Sequence, residues 1–361
     1  MQHPLSARRQ APKGVIDTLS AGYAALNRQL WVLLVPILVD LVLWLGPHVS
    51  YSPLVDPLVT RATESVRQLA VNQTQPPVSP RRGQARPVPS SPNTTSSELS
   101  ERLEAFRTWT MSRTTDTNAL SLLARGPLVV PSLAAPLGAA GVIGSVGAFQ
   151  FVTGWPEGLL LLSVLFASSL LLGGVFYTGL AASAGAAESR GPLTAGRRAP
   201  KVAVRVIGLL AALLGTGLLL GLPVLVLVGF TALVAPELAV FGGVFVLAAL
   251  LFAEIHLSFA VPAICVSNVG PLAAVQRSVA VVRRDLWSTL GLILLTWLIL
   301  AGMGRVWEVV ASSLPAPFGI SLAIVGNAYI ASGLIAAGMI FYTERVESLS
   351  HAPGASAPVP A

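Results

Sequence analysis

Apolar residues in this chain come in unbroken blocks, separated by short polar or basic segments, and not in the strict alternation of a half-buried strand. Six blocks read as helical spans: Leu30–Gly46, Gly158–Ser183, Val206–Ala235, Leu238–Val266, Trp287–Gly304 and Gly319–Tyr342. Most are long enough to cross a hydrocarbon core of about 30 Å. In lipid, backbone polar groups must be satisfied within the segment or within a closed barrel, and continuous apolar blocks select the helix. The first block is the shortest and carries Pro36 and Asp40. The 29 residues before it are too long for the basic n-region of a cleaved leader, and no A-x-A site follows, so it reads as an uncleaved anchor.

Between the first two blocks lies a long segment, Pro47–Arg125. Its middle, Gln75–Ser97, is rich in Pro, Ser, Arg and Thr, cannot build a core, and is expected to be disordered. Ser100–Arg113 is expected to be a short helix, because Leu99, Leu103 and Phe106 fall on one face. Gly126–Pro156 carries no charge, but Pro127, Pro131 and Pro136 are followed by Gly138, Gly141, Gly144 and Gly147. That density argues against a regular lipid-facing helix and favours a re-entrant or protein-packed segment, since irregular backbone at membrane depth needs shielding by protein. A seventh span is the alternative, and it would invert the first loop. The expected organisation is a segment 1–29 with an amphipathic helix, the first span 30–46, an outer loop 47–125, the packed segment 126–157, a five-span bundle 158–343 and a tail 344–361.

Two flanking stretches have helical period without spanning length. Ile16, Leu19, Tyr23 and Leu26 share one face of the first; Leu272, Val275, Val279, Val282 and Leu286 form the stripe of the second, with Arg277, Arg283 and Arg284 outside it. Pro271 suits the first turn of that helix. Such helices lie in the membrane interface or cover the inner end of a bundle, and both readings stay open. The fold class expected is all-α: a polytopic transmembrane helical bundle of about six spans with interfacial amphipathic helices.

Composition sharpens this picture. Of 361 residues, 53% are hydrophobic and 11% charged, against about a quarter charged in a soluble domain. The net charge of +7 does not mark a nucleic-acid binder, because the basic residues sit beside apolar blocks, where they set topology and meet anionic lipid. Arginines and lysines cluster at Arg8, Arg9, Lys13 and Arg28, at Arg190–Arg205, and at Arg277–Arg284, which predicts that both termini are cytoplasmic. Trp31, Tyr177, Trp287 and Tyr342 then fall at inner ends, and Trp44, Trp155 and Trp307 at outer ends. The excess of arginine over lysine, 21 to 2, suggests a bacterial source, and hence the bacterial cytoplasmic membrane. Cys265, alone in the chain, reads as a small core residue.

The stretch Ala260–Gly291, AVPAICVSNVGPLAAVQRSVAVVRRDLWSTLG, resembles the membrane domain of the glycerophosphoryl diester phosphodiesterase family and related bacterial six-span proteins of unknown role. The matching residues are Pro262, Gly270, Pro271, Ala274, Arg277, Ser278, Arg284, Trp287 and Gly291. Phe341–Leu349, FYTERVESL, is similar to the aromatic-then-basic end of those proteins, and Leu34–Gly46 is similar to the first span of the uncharacterised branch. The resemblance implies a membrane anchor or partner of another activity. It carries over no catalytic residue, because His3, His48, His256 and His351 are scattered and no region is long enough for a catalytic barrel.

Four polar residues lie deep in apolar blocks: Asp40, Glu254, His256 and Asn327. A charge at the bilayer centre costs about 3 kcal/mol or more, so such groups are expected to face the bundle interior or water. They define a candidate intramembrane polar site, read either as a proton or cation path using Asp40 and Glu254 or as structural hydrogen-bonded acids, with the second favoured. His256 lies about 200° around the helix from Glu254 and cannot share its face. Gly217-x-x-x-Gly221 is a close-approach motif for helix packing. The Gly138–Gly147 run lacks the strand and Lys-Ser/Thr of a phosphate loop. No catalytic, metal or cofactor constellation is expected. The reading favoured is a non-enzymatic scaffold or accessory protein whose partners are anionic inner-leaflet lipid and a further protein, with Arg277, Arg283 and Arg284 facing them; a small transporter or channel is the alternative.

Overall fold

The computed structural model describes residues 14–50, 52–74, 94–137, 149–151, 154–185 and 191–350. The chain is all-α, with two three-residue strands as the only described departure. In order the helices are α1 (Val15–Asn27), α2 (Leu34–Leu45), α3 (Ser52–Thr74), α4 (Thr94–Asp116), α5 (Leu122–Arg125), α6 (Ala134–Leu137), α7 (Trp155–Ser183), α8 (Pro192–Thr216), α9 (Leu222–Val234), α10 (Pro236–Leu257), α11 (Ala260–Ser267), α12 (Pro271–Arg284), α13 (Leu286–Ser313) and α14 (Phe318–Ser350). Strand β1 (His48–Ser50) pairs in parallel with β2 (Phe149–Phe151).

Five helical stretches are long and apolar enough to cross a membrane: Trp155–Ser183, Pro192–Thr231, Val240–Ser267, Leu286–Ser313 and Phe318–Leu349. These correspond to expected spans two to six; the second, third, fifth and sixth are longer than expected, and the fourth is shifted by a residue or two. The expected first span is shorter than its hydropathy suggests. Pro36 sits in the first turn of α2, where its missing N–H is tolerated, and Leu30–Leu33 before it winds as a 3₁₀ turn. The remaining α-helix covers only about 18 Å at 1.5 Å per residue. A sixth crossing is reached only if Val15–Asn27 and Leu30–Leu45, bent by 90° at their junction, count as one broken span.

The described residues fall into two compact units. In the first (Met1–Asp40, Leu123–Leu133 and Phe166–Ala361), α14 is the central helix, flanked by α1 and α13. Helix α1 docks by small residues: a Cβ on Gly22 would sit 2.6 Å from Ala337, and Gly333 leaves room for the Tyr23 ring. Tyr23 Oη donates to the Ile330 carbonyl at 3.2 Å. The buried face is therefore Thr18, Leu19, Gly22, Ala25 and Leu26, while Ile16 is 76% exposed. This corrects the expected Ile16–Leu19–Tyr23–Leu26 stripe, because close backbone approach selects glycine and alanine over bulk.

The same unit contains the irregular backbone of residues 126–133. Leu128, Val130 and Leu133 are buried, Gly173 of α7 makes room for Leu128, and Tyr177 Oη donates to the Val129 carbonyl at 3.1 Å. These residues form no spanning helix; 138–148, 152 and 153, with the whole glycine run, lie outside the described residues. Farther on, Gly217–Gly221 forms a π-turn between α8 and α9. Pro223 accounts for it, since the proline ring and its missing N–H break the regular ladder one turn earlier. A Cβ on either glycine would meet no atom of another described segment within 4 Å, so the expected close approach is not made within the described chain.

The second unit comprises Leu41–Leu122 and Ala134–Leu165. In it α3 packs with α4, and the Asn118 side chain ties the end of α4 to β1. Its Oδ1 accepts from the N–H groups of Val49 and Leu120, each at 3.1 Å, and its Nδ2 donates to the Pro47 carbonyl at 3.3 Å. Of the expected disordered stretch, residues 94–97 are the first turn of α4, and 75–93 lie outside the described residues.

Candidate functional site: a broken span and its docked arginine helix

The stretch with the strongest sequence signature, Ala260–Gly291, begins at a break in the third of the five long apolar stretches, Val240–Ser267. Pro262 cannot donate to the Ser258 carbonyl, and its ring crowds that carbonyl, so α10 ends at Leu257 and α11 restarts at Ala260. The break frees backbone groups that hydrocarbon cannot satisfy. Helix α12 supplies the remedy. Ser278 Oγ accepts the Phe259 N–H at 3.1 Å and donates to the His256 carbonyl at 2.6 Å. Ser278 is wholly buried, and the Phe259 ring beside it stacks on Phe341 of α14 at 5.3 Å.

Helix α11 ends on Asn268, whose left-handed φ of 53° suits asparagine at a helix C-terminus. Asn268 Oδ1 accepts from the Arg205 guanidinium at 2.5 Å, and Ser267 shares a hydrogen bond of 3.0 Å with Tyr342. Tyr342 is thus a buried hydrogen-bonding residue, which corrects its expected role as an interfacial anchor; Trp44 is buried as well, whereas Trp287 is 84% exposed.

Helix α12 presents Ala274, Ser278, Val281 and Val282 to the protein. Leu272 is 73% exposed, so the buried face is turned by roughly a quarter-turn from the expected Leu272–Val275–Val279–Val282–Leu286 stripe. The orientation follows from the fixed position of Ser278 at the break. Arg277, Arg283 and Arg284 all remain exposed. Arg277 reaches the Tyr342 side chain, whereas Arg283 and Arg284 have no partner among the described residues. Just beyond, Asp285 lies 4.0 Å from the buried Arg345 of α14, whose guanidinium stands 3.3 Å from the centre of the Phe341 ring. Segments 260–291 and 341–349, far apart in sequence, therefore meet in space.

The four deep polar residues do not form one site. Asp40 is fully buried and accepts from the Ser132 hydroxyl and, at 2.9 Å, from the Leu133 N–H. It anchors the irregular segment just before α6. Glu254 is exposed on the outside of α10, so of the two expected surroundings, bundle interior or water, the interior is not the one it has. His256 is half-buried and engaged within its own helix, its Nδ1 2.8 Å from the Phe252 carbonyl. Asn327, half-buried in α14, forms no hydrogen bond to any described residue. Cys265 is buried and free.

Sequence reasoning named Ser278 among the matching residues of the resemblance but gave it no structural role. The available signal was Pro262 inside a span, which implies an unsatisfied backbone group and a polar side chain nearby to meet it. No family model, no curated protein and no solved structure matches this chain.

Proposed function

We propose that this is a non-enzymatic multi-pass protein of the bacterial cytoplasmic membrane that serves as a scaffold or accessory subunit for a partner. Both termini and the arginine-bearing α12 face the cytoplasm. The observation that carries this reading is the division of labour on α12. One face is locked to the protein through Ser278, while Arg283 and Arg284 are exposed and have no partner among the described residues. A rigid helix with free guanidinium groups suits anionic headgroups or the acidic surface of a peripheral partner. The resemblance to phosphodiesterase membrane domains agrees with an anchoring role, in which the chemistry belongs to another protein.

The transporter alternative is weakened by the placement of its two carboxyls. Asp40 is committed to Ser132 and Leu133, and Glu254 faces away from the bundle. The test is affinity purification of wild type and an Arg283→Gln/Arg284→Gln variant at matched membrane level. Wild type should retain a discrete protein or anionic lipid that the variant loses. Identical co-purifying species in both would overturn the role given to α12.

A further inference from the structure

Helices α9 and α10 pack on each other, and most of their remaining surface is uncovered by the chain. That alone says nothing about what covers it. The placement of Glu254 on one line of α10 says more. Val240, Gly243, Leu247, Leu250, Glu254 and Leu257 recur at spacings of three and four, the heptad seam of a left-handed helix pair. Val240, Leu247 and Leu250 are 66%, 58% and 63% exposed, and Gly243 and Glu254 are exposed with them. A Cβ on Gly243 would meet nothing within 4 Å, whereas one on Gly242, about 100° around the helix, would meet Val228 of α9 at 2.9 Å. The seam is therefore distinct from the face that α9 already occupies.

Glu254 is the one charged residue on this seam, and it has no partner among the described residues. A carboxyl facing hydrocarbon is costly and needs a polar group at the same depth. We infer that α10 pairs with α10 of a second copy through this seam, with Glu254 facing its counterpart across a two-fold axis. Copies inserted by the same arginine signals share one orientation in the bilayer. In a parallel pair a seam residue lies opposite itself, so a second copy supplies a carboxyl at the required depth by symmetry. Two facing carboxyls join through a hydrogen bond when they share a proton. Gly243 lets the backbones approach toward the other end of the helix. The inference rests on α10 crossing the membrane and not on the accessory role.

The test uses cysteine cross-linking of the full chain in native membranes, with wild type as baseline because Cys265 is buried in α11. Leu247→Cys and Leu250→Cys should cross-link under oxidation to a species of twice the monomer mass. Phe245→Cys, exposed on the far side of α10, and wild type should not. In the Leu250→Cys background, Glu254→Leu should lower the dimerisation constant about threefold, the conversion of an average interhelical bond of about 0.6 kcal/mol. Glu254→Gln, which still donates and accepts, should leave it unchanged. Three results would each overturn the inference: no cross-linking at Leu247 and Leu250, equal cross-linking at Phe245, or an adduct that is not twice the monomer mass. A dimer indifferent to Glu254→Leu would overturn the assigned carboxyl pair.

Discussion

The Ser278 hydroxyl stands 3.1 Å from the Phe259 amide nitrogen, nineteen residues away in sequence, and fills the backbone position that a straight helix would have satisfied. A proline in one helix and a serine in another thus form a single structural unit. Ser278→Ala should strand a buried N–H and weaken a buried carbonyl, at a cost of about 1–3 kcal/mol. Thermal unfolding in detergent should show a clear drop for Ser278→Ala and almost none for Gln276→Ala, on the exposed face of the same helix. Equal melting of the two variants would show that the break is satisfied by other means.

Asp40 and Ser132 offer a second test, this time of a structural role for a deep acid. Asp40→Leu leaves the Ser132 hydroxyl and the Leu133 N–H without their acceptor, and each stranded buried donor costs about 1–3 kcal/mol. Asp40→Leu should therefore cut the folded yield sharply, and Ser132→Ala should do so mildly. In a double-mutant cycle the two changes should couple. Strict additivity would mean that the carboxyl serves something other than this segment.

Glu254 separates the accessory reading from the transporter reading. With its carboxyl on the outside of α10, Glu254→Gln should leave proton flux in reconstituted vesicles at the wild-type level. Loss of a pH-dependent flux at unchanged protein level would restore the transporter alternative.

Long apolar blocks made spans two to six legible, because nothing else explains five such runs in one chain. Helix faces were less legible. On α1 the docking residues Gly22 and Ala25 carry little hydropathy, so the bulkier Ile16 drew the expected stripe toward the exposed side. On α10 nearly every residue is apolar, so periodicity could not tell which way Glu254 points. The partnership of Asp40 with Ser132 and Leu133 spans more than ninety residues, and only folding brings it together. Arg277, Arg283 and Arg284 were placed outside the buried stripe from sequence, and all three are exposed even though that stripe is rotated.

The central claim is a membrane bundle that holds α12 rigidly and presents its arginines to the cytoplasm. Its most direct measurement is labelling of single cysteines by a membrane-impermeant thiol reagent, compared between inside-out and right-side-out vesicles. Arg284→Cys should be labelled in inside-out vesicles only, while Val281→Cys, on the buried face, should stay unlabelled in both until the protein is denatured. Labelling of Arg284→Cys in right-side-out vesicles would contradict the orientation. Equal labelling at Val281 and Arg284 would contradict the docking of α12.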